Sequence, residues 1–267
     1  MKKWLALILL TVFLSVPVTF VHADSKQSYT DYLFQFDEYR RMLNEFKVAR
    51  GEYLKFKTLV SQTTALTKTI AMVSQRDKLL RAYLLFLRER LKENNSITAS
   101  NKSLYEELIN KEVTFLDNHS VLVKDIGSLQ DAEVTSKQLS SHYTILQSNI
   151  VQTIVGITMG DLTFANQKYS EALSDGEAFI TLHRGAYTPE KQATLDRWIL
   201  QIKNKQSLYA QKMDSIAAMN GQLKSASLDE LTTIFQKMRK EMSEAKQYLL
   251  EGTAYIGELR EALYYVE

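Results

Sequence analysis

Beyond an N-terminal leader the chain carries three imidazoles, His119, His142 and His183, and none lies three or four residues from an acid on its own helix. That spacing puts two ligands on one helical face, so the Glu-x-x-His pattern of di-iron bundles and the His-Glu-x-x-His pattern of zinc hydrolases are both missing. Asp117 and His119 stand two apart and point to different sides of a helix. The 267 residues include no cysteine. This excludes thiolate nucleophiles, thiolate zinc sites, iron–sulfur clusters and c-type haem attachment. There is no phosphate-cradling glycine loop and no Gly-x-Ser-x-Gly elbow. Glu106, Glu107, Glu112 and Asp117 read as a solvated acidic helix face. No catalytic, cofactor-binding or metal-binding residue is expected, and the chain reads as a non-enzyme.

Two features stand out from this background. From Ile150 to Met159 the chain is rich in apolar residues, with Ile150 and Ile154 one helical turn apart and Gly156 and Gly160 spaced as Gly-x-x-x-Gly. Small residues four apart let helices approach closely, in membranes or in soluble cores. The stretch is too short to span a bilayer as a helix, so close packing is the favoured reading and a membrane-active segment the alternative. The second feature is the aromatic density from Tyr29 to Phe56. Phe34 and Phe56 lie off the main seam there, which marks them as candidates for an interaction surface.

The elements that must position these residues begin with the leader. Lys2 and Lys3 precede an apolar run from Trp4 to Leu14, and Val21-His22-Ala23 offers a signal-peptidase site ahead of Asp24. Cleavage there leaves 244 residues with Pro189 as their single proline. An uncleaved anchor is the alternative. Lys2 and Lys3 also supply the whole formal charge of +2, so the processed chain is neutral and lacks the footprint of a nucleic-acid binder. The charge is unevenly spread: Asp24 to Asn94 holds 14 basic and 9 acidic residues, and the remainder is acidic in balance. Complementarity within the fold explains this most simply, a basic partner-facing surface less so.

Apolar residues then recur at helical spacing. Tyr32, Phe36, Tyr39, Leu43, Phe46, Tyr53 and Val60 form one seam, and Leu66 through Leu91 form another, with Asp77 at a seam position. The two seams are one residue out of phase near a threonine-rich join. Either one very long helix passes through a local unwinding at that join or two helices meet there at a kink, and with no glycine or proline from Glu52 through Ile126 a nearly continuous rod over 29–93 is the favoured expectation. Helix starts are expected at Ser103 with Glu106, Ser128 with Asp131, Ser174 with Glu177, Thr188-Pro189-Glu190, and Ser227 with Glu230. The last helix runs from Leu228 toward Val266. Long helices joined by short polar turns predict an all-α, elongated antiparallel bundle with coiled-coil-like packing, in one domain over 24–267 or two sub-bundles meeting near Gly127.

The function expected from these features is that of an exported helical scaffold or protein-binding module of the cell envelope. Its location would be periplasmic, cell-surface or secreted, with a protein partner or self-association, no cofactor and no integral span after processing. Long helices around the Ile150–Met159 segment also resemble, in architecture alone, the ClyA-type α-helical pore-forming toxins; that resemblance implies a membrane-active protein. A third reading is a ligand-sensing bundle similar to the extracellular domains of bacterial chemoreceptors.

Overall fold

The periodic segments fold into six α-helices in the computed structural model, which describes residues 23–264 and contains no strand among them. They are α1 (Ala23–Phe56), α2 (Leu59–Glu93), α3 (Ala99–Lys124), α4 (Leu129–His183), α5 (Pro189–Gln222) and α6 (Leu228–Tyr264). The protein is an all-α bundle, as the seams predict. The leader through residue 22 lies outside the described residues, as does Val266 at the far end.

Local chemistry fixes the helix boundaries. Thr188 caps α5 by accepting a hydrogen bond from the Lys191 amide, and Pro189 occupies the first turn, where its missing N–H costs nothing. Ser128 accepts from the Asp131 amide and donates to the Asp131 carboxylate at 2.8 Å. Before α6, the amide and hydroxyl of Ser227 both donate to Glu230, at 2.8 and 2.7 Å. Two expected starts are corrected. The third helix begins under Thr98, whose hydroxyl accepts from the Asn101 amide, so Ser103 lies inside the helix. Ser174, Gly176 and Glu177 lie within α4, which runs unbroken for 55 residues, roughly 82 Å at 1.5 Å per residue.

The largest correction concerns 29–93, which is a hairpin and not a rod. The chain reverses at Lys57 and Thr58. Lys57 adopts φ 50°, and its amide donates to the Tyr53 carbonyl at 2.9 Å, closing α1 with a left-handed cap. Thr58 and Ser61 then form a reciprocal capping box that opens α2. The threonines after the turn stay helical because Thr63, Thr64, Thr67 and Thr69 donate back to carbonyls four residues earlier. The slip between the two seams is therefore where the chain turns. A left-handed lysine carries a steric cost that glycine escapes. Lys57→Gly is thus expected to stabilise the fold by about 0.5–1 kcal/mol, read as a raised midpoint in urea unfolding.

The helices assemble into two layers sharing α4. In the N-terminal layer, α1 pairs antiparallel with α2, with Lys68 reaching Glu45 at 2.8 Å and Gln75 donating to Gln35 at 2.7 Å. Tyr32 packs on Tyr83 with ring centres 5.1 Å apart, and Tyr29 on Phe86 at 5.4 Å. Helix α3 closes this layer against α2 and the first half of α4. In the C-terminal layer, α5 and α6 pair antiparallel through Lys212 with Glu241 and Glu244, and both cover the second half of α4. Gly127 lies in the α3–α4 turn, flanked by Val123, Ile126 and Ala132, which share one small core with Met72 and Val73. The passage from one main core to the other falls along α4 itself.

Candidate functional site

Three places hold the residues of interest. The first is a buried polar spine in the N-terminal layer. Asp77 on α2 and His119 on α3 are almost wholly enclosed, and His119 Nδ1 donates to Asp77 Oδ2 at 2.6 Å. On its other side His119 Nε2 donates to the Thr135 carbonyl of α4 at 2.9 Å. Both ring nitrogens face acceptors, and neutral imidazole has one N–H, so the pair is satisfied by imidazolium. The hydrogen bond to Asp77 accordingly raises the His119 pKa, against the opposing effect of burial. Phe115, one turn away, stacks on His142 with ring centres 3.7 Å apart. His142 Nε2 donates to Glu112 at 2.7 Å, and Asn149 donates to the other Glu112 oxygen at 2.6 Å. Glu112 is therefore buried, not the solvated face expected of it.

These groups bind one another across three helices, with His142 and Asn149 at the half-buried edge. Among the described residues, no group of three or more His, Cys, Asp or Glu side chains could hold a metal ion. His183 stands apart, its ring tilted against that of Phe179 with ring centres 4.2 Å apart. The depression lined by Ser103, Glu106, Glu107 and Lys111 belongs to α3 alone, and Glu107 there is paired with Lys111 at 2.6 Å.

The second place is the crossing of α4 between the two cores. Val151 and Val155 belong to the C-terminal core, whereas Ile157 belongs to the N-terminal one and Ile150 and Ile154 pack against it. Two opposite faces of one helix are covered here, which accounts for the dense apolar composition. Gly156 lies under the Tyr105 ring of α3, in space a Cβ would occupy. Tyr105 Oη in turn accepts a hydrogen bond from Asn220 of α5 at 3.2 Å. Gly160 faces Asn94, whose amide donates to the Ile157 carbonyl at 3.1 Å and to Asp161 at 2.8 Å. Burial pushes the Asp161 carboxyl pKa up, and the neighbouring Arg90 opposes that shift.

The third place is the end of the α1–α2 hairpin. Helix α3 stops at Lys124 and α4 starts at Leu129, so past the small core at Met72 and Ile126 the hairpin continues alone. From Leu66 to the turn at Thr58 it projects by roughly 12 Å. Ala49 on one arm and Ala65 on the other are buried there. Around the turn, Leu54, Phe56, Leu59 and Val60 are 55%, 59%, 77% and 77% exposed.

No family model, curated protein or solved structure matches this chain. Its own geometry must therefore carry any functional reading.

Phe34 and Phe56 are both exposed, yet 22 residues of one helix, roughly 33 Å, separate them. They do not form one surface. Phe56 is joined instead by Leu54, Leu59 and Val60, which the sequence reading passed over because Val60 fits the α1 seam when the turn is missed. Asp77, Glu112 and His119 carried a visible signal. Asp77 interrupts the α2 seam, and Glu112 and His119 fall on the alternating four-and-three spacing of Leu108, Phe115 and Leu122 on α3, where a charge must find a partner.

Proposed function

We propose that this chain is an exported, non-enzymatic helical scaffold and binding module of the cell envelope. One observation carries the reading: Asp77 with His119 and Glu112 with His142 are hydrogen-bonded to each other inside the N-terminal layer, while exposed apolar side chains flank the turn of a projecting hairpin end. A contiguous apolar patch on a protein surface is characteristic of an interaction site. The leader supports export. No helix among the described residues is long and apolar enough to cross a membrane, and the Ile150–Met159 segment is used in packing between the two layers. That placement favours the scaffold reading over a membrane-inserting one. The chain from Asp24 to Glu267, immobilised and incubated with envelope extract, is expected to retain a specific protein or lipid component identified by mass spectrometry. Recovery of nothing above an albumin control overturns the reading.

A further inference from the structure

The hairpin end combines exposed apolar side chains with an excess of positive charge. Between Lys47 and Thr64 it carries Lys47, Arg50, Lys55 and Lys57 against the single acid Glu52. This short segment holds much of the basic excess of the first half of the chain. None of the four cations is in an ion pair among the described residues, and Lys55 lies over the Phe56 ring at 5.0 Å. Every residue from Lys47 to Thr64 is exposed or half-buried except Ala49. At the apex stands Lys57, the one non-glycine residue with positive φ among those described. The turn thus places a cation between Phe56 and the Thr58 that precedes Leu59.

We propose that the hairpin end docks on an anionic lipid bilayer. Leu54, Phe56, Leu59 and Val60 enter the boundary between headgroups and acyl chains, and Lys47, Arg50, Lys55 and Lys57 meet the lipid phosphates. The inference rests on the scaffold reading and names its partner. Shape and size favour lipid over protein. The end is convex, and its four apolar side chains fall far short of the roughly 20–30 residues each partner brings to a standard protein interface. A fluid bilayer requires no complementary surface. Long lysine side chains also reach back to the phosphate level while their stems stay among apolar groups.

The test is co-sedimentation of the Asp24–Glu267 chain, which contains all six helices bar Ala23, with vesicles of phosphatidylcholine and phosphatidylglycerol at a seven-to-three ratio. Pelleting is expected with these vesicles, with little on pure phosphatidylcholine, and less as salt rises from about 0.1 to 0.5 M. Lys55→Gln with Lys57→Gln should weaken partitioning on the order of 20-fold, about fivefold per charge. Phe56→Ser, Leu59→Ser and Val60→Ser together should weaken it more than tenfold. These side chains are exposed, so an unchanged melting curve verifies the fold, and Phe34→Ser should leave partitioning intact. Equal pelleting of the triple variant, or of wild type on neutral vesicles, overturns the proposal. If vesicles leave the chain in solution while the immobilised chain retains an envelope protein, the lipid assignment falls and the scaffold reading stands. If neither is retained, both fall.

Discussion

His119→Leu is expected to cost the fold about 3–5 kcal/mol, because it removes the hydrogen-bonded partner of the buried Asp77 carboxylate and leaves only Arg76, 4.0 Å from the other oxygen, as a counter-charge. Asp77 has Oδ2 on His119, and its other oxygen has no hydrogen-bond partner, with Arg76 Nε 4.0 Å away. Removing both charges should be milder. Asp77→Leu combined with His119→Leu is expected to recover part of the loss, since a buried pair and a well-packed apolar pair of similar volume are often close in stability, while Arg76 loses Asp77 as its neighbouring counter-charge. Chemical denaturation of the two single variants and the double variant measures the coupling directly. A near-additive double variant would sink the account.

The same pair sets a pH dependence. Because folding raises the His119 pKa, its stabilisation is complete below the ordinary histidine value of about 6.5 and is lost as pH rises through the folded value. The wild type should lose stability over that window. The double variant, which lacks the pair, should lose less over the same window. Equal slopes in the two proteins would assign the dependence to other groups.

Gly156→Asp is the second change of large expected effect, at more than about 3 kcal/mol, because it sets a carboxylate against a tyrosine ring in a buried crossing. Gly156→Ala separates the steric part. Its methyl must displace the Tyr105 ring, which is hydrogen-bonded to Asn220, so a loss of about 1–3 kcal/mol is expected even though alanine is the better helix former. Tyr105→Leu in the alanine background should relieve part of that loss. Urea unfolding followed at both tyrosine and tryptophan fluorescence reads the result. If Gly156→Ala were neutral, the close approach would not be holding the layers together.

Much of this architecture is legible in the amino acids. Helix class follows from the seams, and the starts at Ser128, Pro189 and Leu228 follow from side chains that cap the chain locally. The hairpin at Lys57 was hidden because its left-handed residue is a lysine and its cap is completed by Ser61, neither of which marks a turn by composition. The start at Thr98 was obscured by a second capping-box pattern at Ser103, and tertiary packing carries α4 straight through Gly176. Burial of Asp77 was foreshadowed by its seam position, whereas Glu112 reads as solvated beside its acidic neighbours. The pairing of Asp77 with His119 and of Glu112 with His142 was not legible, because their network joins three helices over separations of 16 to 42 residues. The exposed hairpin end is similarly a product of unequal helix lengths, which only the assembled bundle displays.

The sharing of α4 has a mechanical consequence. Helix α1 packs chiefly on α2, and the C-terminal pair α5 and α6 leans on α4, so a load taken up at the hairpin end reaches the far layer mainly through one unbroken helix. Near the Gly156 crossing that helix is packed against both cores, with Tyr105 close over it and hydrogen-bonded to Asn220. Moving one layer against the other therefore requires bending α4 or parting that contact.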